Sequence, residues 1–171
     1  MAVDPVPTDV EPWLRGPLAG VHPMLMPTLH AFAQVREDLV RWTAGLTDAQ
    51  IWLRPHGLAP VGFQLRHIAG SVERLTAYLN GRQLSAEQLG ALRREMEPGA
   101  TRDALLDDVR QSLGHCEEAI RSLDPAILDE PRYVGRKRLP TTVIGLVVHL
   151  AEHTQRHVGE LIVTAKLLRS T

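Results

Sequence analysis

The chain has 171 residues, 44% of them hydrophobic but only 4% aromatic, which suffices for one domain with a buried core and leaves no room for a second catalytic unit. Its 19 Lys and Arg nearly balance 20 Asp and Glu, for a formal charge of −1, so no whole-molecule field draws it onto nucleic acid or an anionic membrane. Cys116 is the one cysteine, which excludes an intramolecular disulfide framework, and the amino terminus lacks a signal-peptide pattern; both features predict a soluble cytoplasmic protein without a membrane span.

Residues 1–23 carry Pro5, Pro7, Pro12, Pro17 and Pro23, a density that predicts an extended arm, with Trp13 and Leu14 as the residues to pin it. Residues 24–171 are expected to form the helical domain. The first helix starts between Met24 and Thr28, buries Leu25, Leu29, Phe32, Leu39 and Leu46, and closes at Gly45. Thr47 and Gln50 then match a capping box, which predicts a short helix before Pro55 and the loop RPHGLAP. A second long helix over about residues 61–79 places Leu65, Ile68, Val72, Leu75 and Leu79 on one face, and Asn80-Gly81 ends it.

Ser85 and Gln88 form another capping box, opening a short charged helix that should lie superficially and stop before Pro98-Gly99. Thr101 caps a third long helix in which Leu105, Val109, Leu113, Cys116 and Ile120 repeat at steps of three and four, so Cys116 reads as core rather than nucleophile. Residues 124–140, rich in Pro, Asp and Arg, make a connection longer than the usual helix-to-helix turn, with Arg136, Lys137 and Arg138 in a solvated loop. Thr141 and Thr142 cap a fourth long helix reaching about Leu168. With no strand pattern or internal repeat, the fold class is all-α, a four-helix bundle with short accessory helices, and ligand sites in such bundles are built from side chains on facing helices.

His149, His153 and His157 follow one another at four-residue steps in the last helix, so their imidazoles form one stripe. With His153 at zero on the wheel, the other two fall about 40° to either side and Leu146, Leu150, Leu161 and Leu168 lie between about 20° and 80°, so the stripe borders the core. His149 and His157 are about 12 Å apart in rise, too far to share an ion, so the ligand pair is either 149/153 or 153/157, and spacing does not choose. His67, on the flank of the second helix's apolar face, is the candidate third ligand. The plainer alternative is a set of satisfied histidines at a core boundary. His22, His30, His56 and His115 read as surface residues. No HExxH, paired Glu-x-x-His, GxSxG, phosphate loop or zinc-type cysteine pair competes.

Over about residues 28–168, and in particular at His67-Ile68-Ala69 and at His153-Thr154-Gln155-Arg156-His157-Val158-Gly159-Glu160, the chain resembles the DinB/YfiT-like superfamily. The resemblance implies a four-helix bundle with a long crossover connection, frequent homodimers, and one divalent metal held by His67, His153 and His157 with open positions for water or substrate. His149 becomes a neighbouring group. Some branches resemble S-transferases that use bacillithiol, mycothiol or glutathione. Glu160 stands where the family usually has Gln, one turn from His157, where it can orient that ring, act as a base or ligate.

Two function classes follow from the residues and the resemblance together. The first is a metal-dependent enzyme that hydrolyses a small molecule or transfers a low-molecular-weight thiol, with Glu160 and His149 as the nearest proton-transfer or supporting groups. The second is a non-catalytic, stress-associated metal-binding bundle, which predicts a closed coordination sphere completed by Glu160. DNA binding lacks a basic face. Imidazole suits zinc, nickel, iron and copper alike, so the residues do not name the metal; one divalent ion, zinc, nickel or iron, is the expected cofactor. Trp52, Arg54 and His56 are the loop residues placed to line a pocket.

Overall fold

Leu25, Leu29, Phe32, Val35 and Leu39 recur at steps of three and four and are all buried, forming the inward stripe of α1 (Met26–Thr43). The computed structural model describes residues 10–170, so Pro5 and Pro7 of the expected arm lie outside it. The other long helices are α2 (Val61–Leu79), α4 (Arg102–Arg121) and α5 (Val143–Arg169), with the short α3 (Ala86–Arg93) between α2 and α4. The expected caps form: the Thr101 hydroxyl accepts from the Ala104 amide and that of Thr142 from Gly145, while Ser85 and Gln88 make a reciprocal capping box. Thr47 and Gln50 also cap each other, but Pro55 follows so closely that only a 3-10 turn, Gln50–Trp52, forms.

α1 packs on α5 and α4, and α2 packs on α4 and α5, which makes the four-helix bundle. Side-chain contacts give the directions. Thr28 meets Val147, Gln155 meets Ala31 and Arg169 meets Ala44, so α1 and α5 run parallel. Gln64 meets Glu160 and Thr164 meets Ala59, so α2 and α5 run antiparallel. Trp52, which lies over Gly62, bonds the Ala100 carbonyl just before α4, while the other end of α2 brings Thr76 beside Cys116, so α2 and α4 are parallel neighbours. Two adjacent parallel helices need a connection that returns along the bundle. Residues 80–101 are that crossover, and they descend antiparallel to α2, with Gln88 at Glu73, Glu95 at Arg74 and His67, and Arg66 reaching the Glu97 carbonyl.

Two expectations are corrected. Residues 124–140 hold a strand pair, β1 (Pro131–Val134) and β2 (Leu139–Thr142), antiparallel with Pro131 opposite Thr142. Strands of four residues are too short to show an alternating pattern, and this pair is held by its surroundings: Arg132 Nε donates to the Leu79 carbonyl at 2.9 Å, tying the hairpin to the end of α2. The amino-terminal residues are not fastened by Trp13, which is 63% exposed, or by Leu14; Pro12 and Val21 are buried instead and Arg15 pairs with Glu37 of α1. Cys116 is buried, and burial pushes its thiol up to about 11, in keeping with a core residue. Among the described residues no helix is long and apolar enough to cross a membrane.

Candidate metal centre

α2 and α5 pack against each other, and Val61, Leu65, Ile68 and Val72 of α2 share one buried core with Leu150, Val158, Leu161 and Ala165 of α5. His67 stands on the flank of that α2 stripe and His153 and His157 on the flank of the α5 stripe, so antiparallel packing turns all three imidazoles into one cleft. One ring nitrogen from each lies within 4.8 Å of the others. Ring centroids are 4.3 Å apart for His67 and His157, 4.6 Å for His153 and His157, and 5.3 Å for His67 and His153.

Hydrogen bonds at the outer nitrogens fix which inner atoms carry lone pairs. His67 Nδ1 is 2.6 Å from Glu95 Oε2, and a carboxylate oxygen only accepts, so Nδ1 carries the proton and Nε2 of the neutral ring is left with its lone pair. On the other side Gln64 Nε2 donates to Glu160 Oε2 at 2.8 Å, which turns the Gln64 carbonyl toward His157 Nδ1, also at 2.8 Å. Glu160 stands 3.5 Å from that same nitrogen, so the Gln64 carbonyl takes the hydrogen bond and Glu160 acts behind it. Both rings therefore present Nε2 to the cleft. His67 Nε2 lies 3.2 Å from His153 Nε2, a contact that needs either a proton from His153 or a cation shared between the two lone pairs. Two inward lone pairs, backed by a carboxylate and an amide oxygen, with His153 Nε2 beside them, are compatible with a divalent cation, and imidazole donors suit zinc, nickel, iron and copper alike.

Electrostatics disfavour the charged forms of His153 and His157. Burial, then the neighbouring His157 and His67, push His153 down from the ordinary 6.5 to about 4. His157 is lowered by burial and by His67, against an opposing pull from Glu160. One wall of the cleft is apolar, since the Phe63 ring stacks on His67 at 5.4 Å with the planes 22° apart.

Of the residues singled out from the sequence, His67, His153 and His157 converge, whereas His149 does not join them: its side chain is 47% exposed and pairs with Glu152 on its own helix. Glu160, 50% exposed, lies 3.5 Å from the outer nitrogen of His157, behind the Gln64 carbonyl, and is outside the three-residue group. Trp52 is turned to the crossover, and Arg54 and His56 are exposed on their loop. Sequence reasoning missed two residues. Gln64 is one turn before His67 on the helix, a spacing that could have drawn attention to it. Glu95 lies in what reads as a superficial charged segment, yet it is buried against His67 and Arg74, and no local pattern marks it. A cavity of about 1130 Å³ between α2, the crossover and α4 is lined by Arg74 and Glu95 but by none of the three imidazoles.

The sequence model of the DinB superfamily matches residues 31–161, a span that holds all three histidines together with Gln64, Glu95 and Glu160. No curated protein matches the chain.

Proposed function

The chain belongs to the DinB superfamily, and from that premise we propose that it is a metal-dependent enzyme acting on a small molecule, with one divalent cation held by His67, His153 and His157. The observation that carries this reading is the pair of outer hydrogen bonds, Glu95 to His67 and Gln64 to His157, which leave both Nε2 lone pairs in the same cleft. Held by the three histidines, such a cation would supply Lewis acidity near neutral pH, chemistry that suits hydrolysis or the transfer of a low-molecular-weight thiol to an electrophile.

The chain's own residues divide the remaining work. Phe63 shields one face of His67 from water and offers an apolar surface to substrate. Glu160 orients His157 through Gln64. His149 and Glu152 stand at the solvent end of the stripe, the His149 ring 5.3 Å from that of His153, where they can pass a proton between the cleft and bulk water. The alternative of a closed, non-catalytic site loses support because Glu160 is engaged by Gln64 behind the ring rather than among the inward nitrogens. By family resemblance the working assembly is a homodimer, with residues 24–171 as its four-helix bundle domain, and light scattering of the purified protein tests the dimer.

Elemental analysis of gently purified protein is expected to give one divalent metal per chain, removable by chelation and restored by re-addition. Absence of stoichiometric metal would end the proposal. For the cobalt-substituted protein, a sulfur-to-cobalt charge-transfer band on adding a small thiol supports an open position; no spectral change with any thiol, together with no hydrolytic activity, favours the closed bundle.

A further inference from the structure

The crossover of residues 80–101 does more than return the chain to the start of α4. Where it passes His67 it delivers Glu95, a residue 28 positions away in sequence, and two arginines fix its position while a glycine leaves it room. Arg66 gathers the carbonyls of Arg94, Glu95 and Glu97 on Nη1 while its guanidinium lies over the Trp52 ring at 4.9 Å, so the segment just beyond α3 is clamped to α2. Arg74 Nη1 lies 2.8 Å from Glu95 Oε1 as an ion pair without hydrogen-bond alignment, and both side chains are about nine-tenths buried. Gly70 leaves the room: a Cβ there would stand 2.6 Å from Arg74 Nη1 and 2.8 Å from Glu95 Oε1.

We propose that Glu95 is a positioning residue that holds His67 in the tautomer with Nε2 unprotonated and facing His153 and His157, so that this face of the cleft is set before any cation arrives. This rests on the metal-centre reading for its use, though the hold on His67 stands on geometry alone. An unrestrained neutral imidazole samples both tautomers, and the wrong one presents an N–H to the cleft. A carboxylate acceptor at 2.6 Å removes that alternative, and it also strengthens the ring as a donor, as outer-shell carboxylates do for metal-bound histidine. The two fixed imidazoles are thus supported unequally. His157 leans on a neutral amide that Glu160 orients, and His67 leans directly on a buried carboxylate that Arg74 pins.

Ring-nitrogen NMR of the metal-free protein, at about pH 8 and so above the ordinary imidazole range, reads the tautomer without any metal. For the unsubstituted chain His67 should show a protonated Nδ1 and an unprotonated Nε2. Glu95→Ala should mix the tautomers and weaken zinc, measured by competition with a chromophoric chelator, about 10–100-fold. Glu95→Gln, whose carbonyl still accepts, should recover the tautomer and part of the affinity. Gly70→Ala, which favours helix, should loosen the Arg74–Glu95 pair and move both readouts the same way if Glu95→Ala fails to fold. A protonated Nε2 on His67 in the unsubstituted chain overturns the proposal, as does a folded Glu95→Ala with tautomer and affinity unchanged. A chain that binds no zinc yet shows the fixed tautomer leaves the hold of Glu95 standing and removes the metal reading instead.

Discussion

The two ends of the α5 histidine stripe have the same spacing and different fates. His149 and His153 are four residues apart, as are His153 and His157, yet the second pair faces His67 across the seam whereas His149, the outer member of the first, faces solvent. The side chain of His157 is 12% exposed and that of His149 47%. A helix repeats its residues on a wheel but does not choose which turn of the wheel meets a neighbour; α2 chooses, by bringing His67 and Gln64 to the level of residues 153–160. A metal-ligand pair is therefore a property of two packed helices, although its spacing is written on one.

Replacing the shared member of the two pairs should have the largest effect. His153→Ala removes one of three nitrogens, and if structural zinc sites gain about 10–16 kcal/mol from four ligands, the loss is about 3 kcal/mol, on the order of a hundredfold in zinc affinity, measured by chelator competition. Gln64→Ala leaves the ligand nitrogens in place but takes away the acceptor on His157 Nδ1 and the partner of Glu160, and should weaken zinc by about tenfold. A loss as large as that of His153→Ala would mean that Gln64 supports the helix seam as well as the ring.

The metal-free protein offers a pH test of the inner region. The folded state holds His153 at about 4 against the ordinary 6.5, so the unfolded chain takes up its proton first as pH falls. Stability from this group is full above 6.5 and is lost as pH falls toward about 4. Thermal melts from neutral to acid pH should show a falling Tm, more shallowly in His153→Ala, with His157, lowered in the same direction, adding to the slope. The smallest effect belongs to the outer end: His149→Ala should leave zinc affinity within about twofold of the unsubstituted chain, since its ring lies outside the group of three. Should it weaken binding as His153→Ala does, the distinction between the two ends collapses.

Much of the fold was legible because helical periodicity, capping and glycine stops are local. The buried stripe of α4, Leu105, Val109, Leu113, Cys116 and Ile120, matches the one read from spacing, and α2 runs over the expected residues to its stop at Gly81. The hairpin at Pro131–Thr142 escaped because each strand is too short for a pattern and is held by Arg132 on the end of α2. At the site, the histidines stood out by type and spacing, while the family resemblance selected 153/157 over 149/153 and drew attention to Glu160. The wheel left Glu160 open; its carboxylate accepts from the Gln64 amide, whose carbonyl in turn accepts from His157 Nδ1.

By itself, then, the sequence determined an all-helical bundle and a stripe of imidazoles beside its core, since both are written in residues within a few turns of one another. Only the tertiary structure decided that two of those rings meet a third and that Glu95 backs it. Parallel packing of α2 and α4 forces the chain to return along α2, and the return carries a charged segment with no apolar period of its own into the one place where its carboxylate reaches both His67 and Arg74.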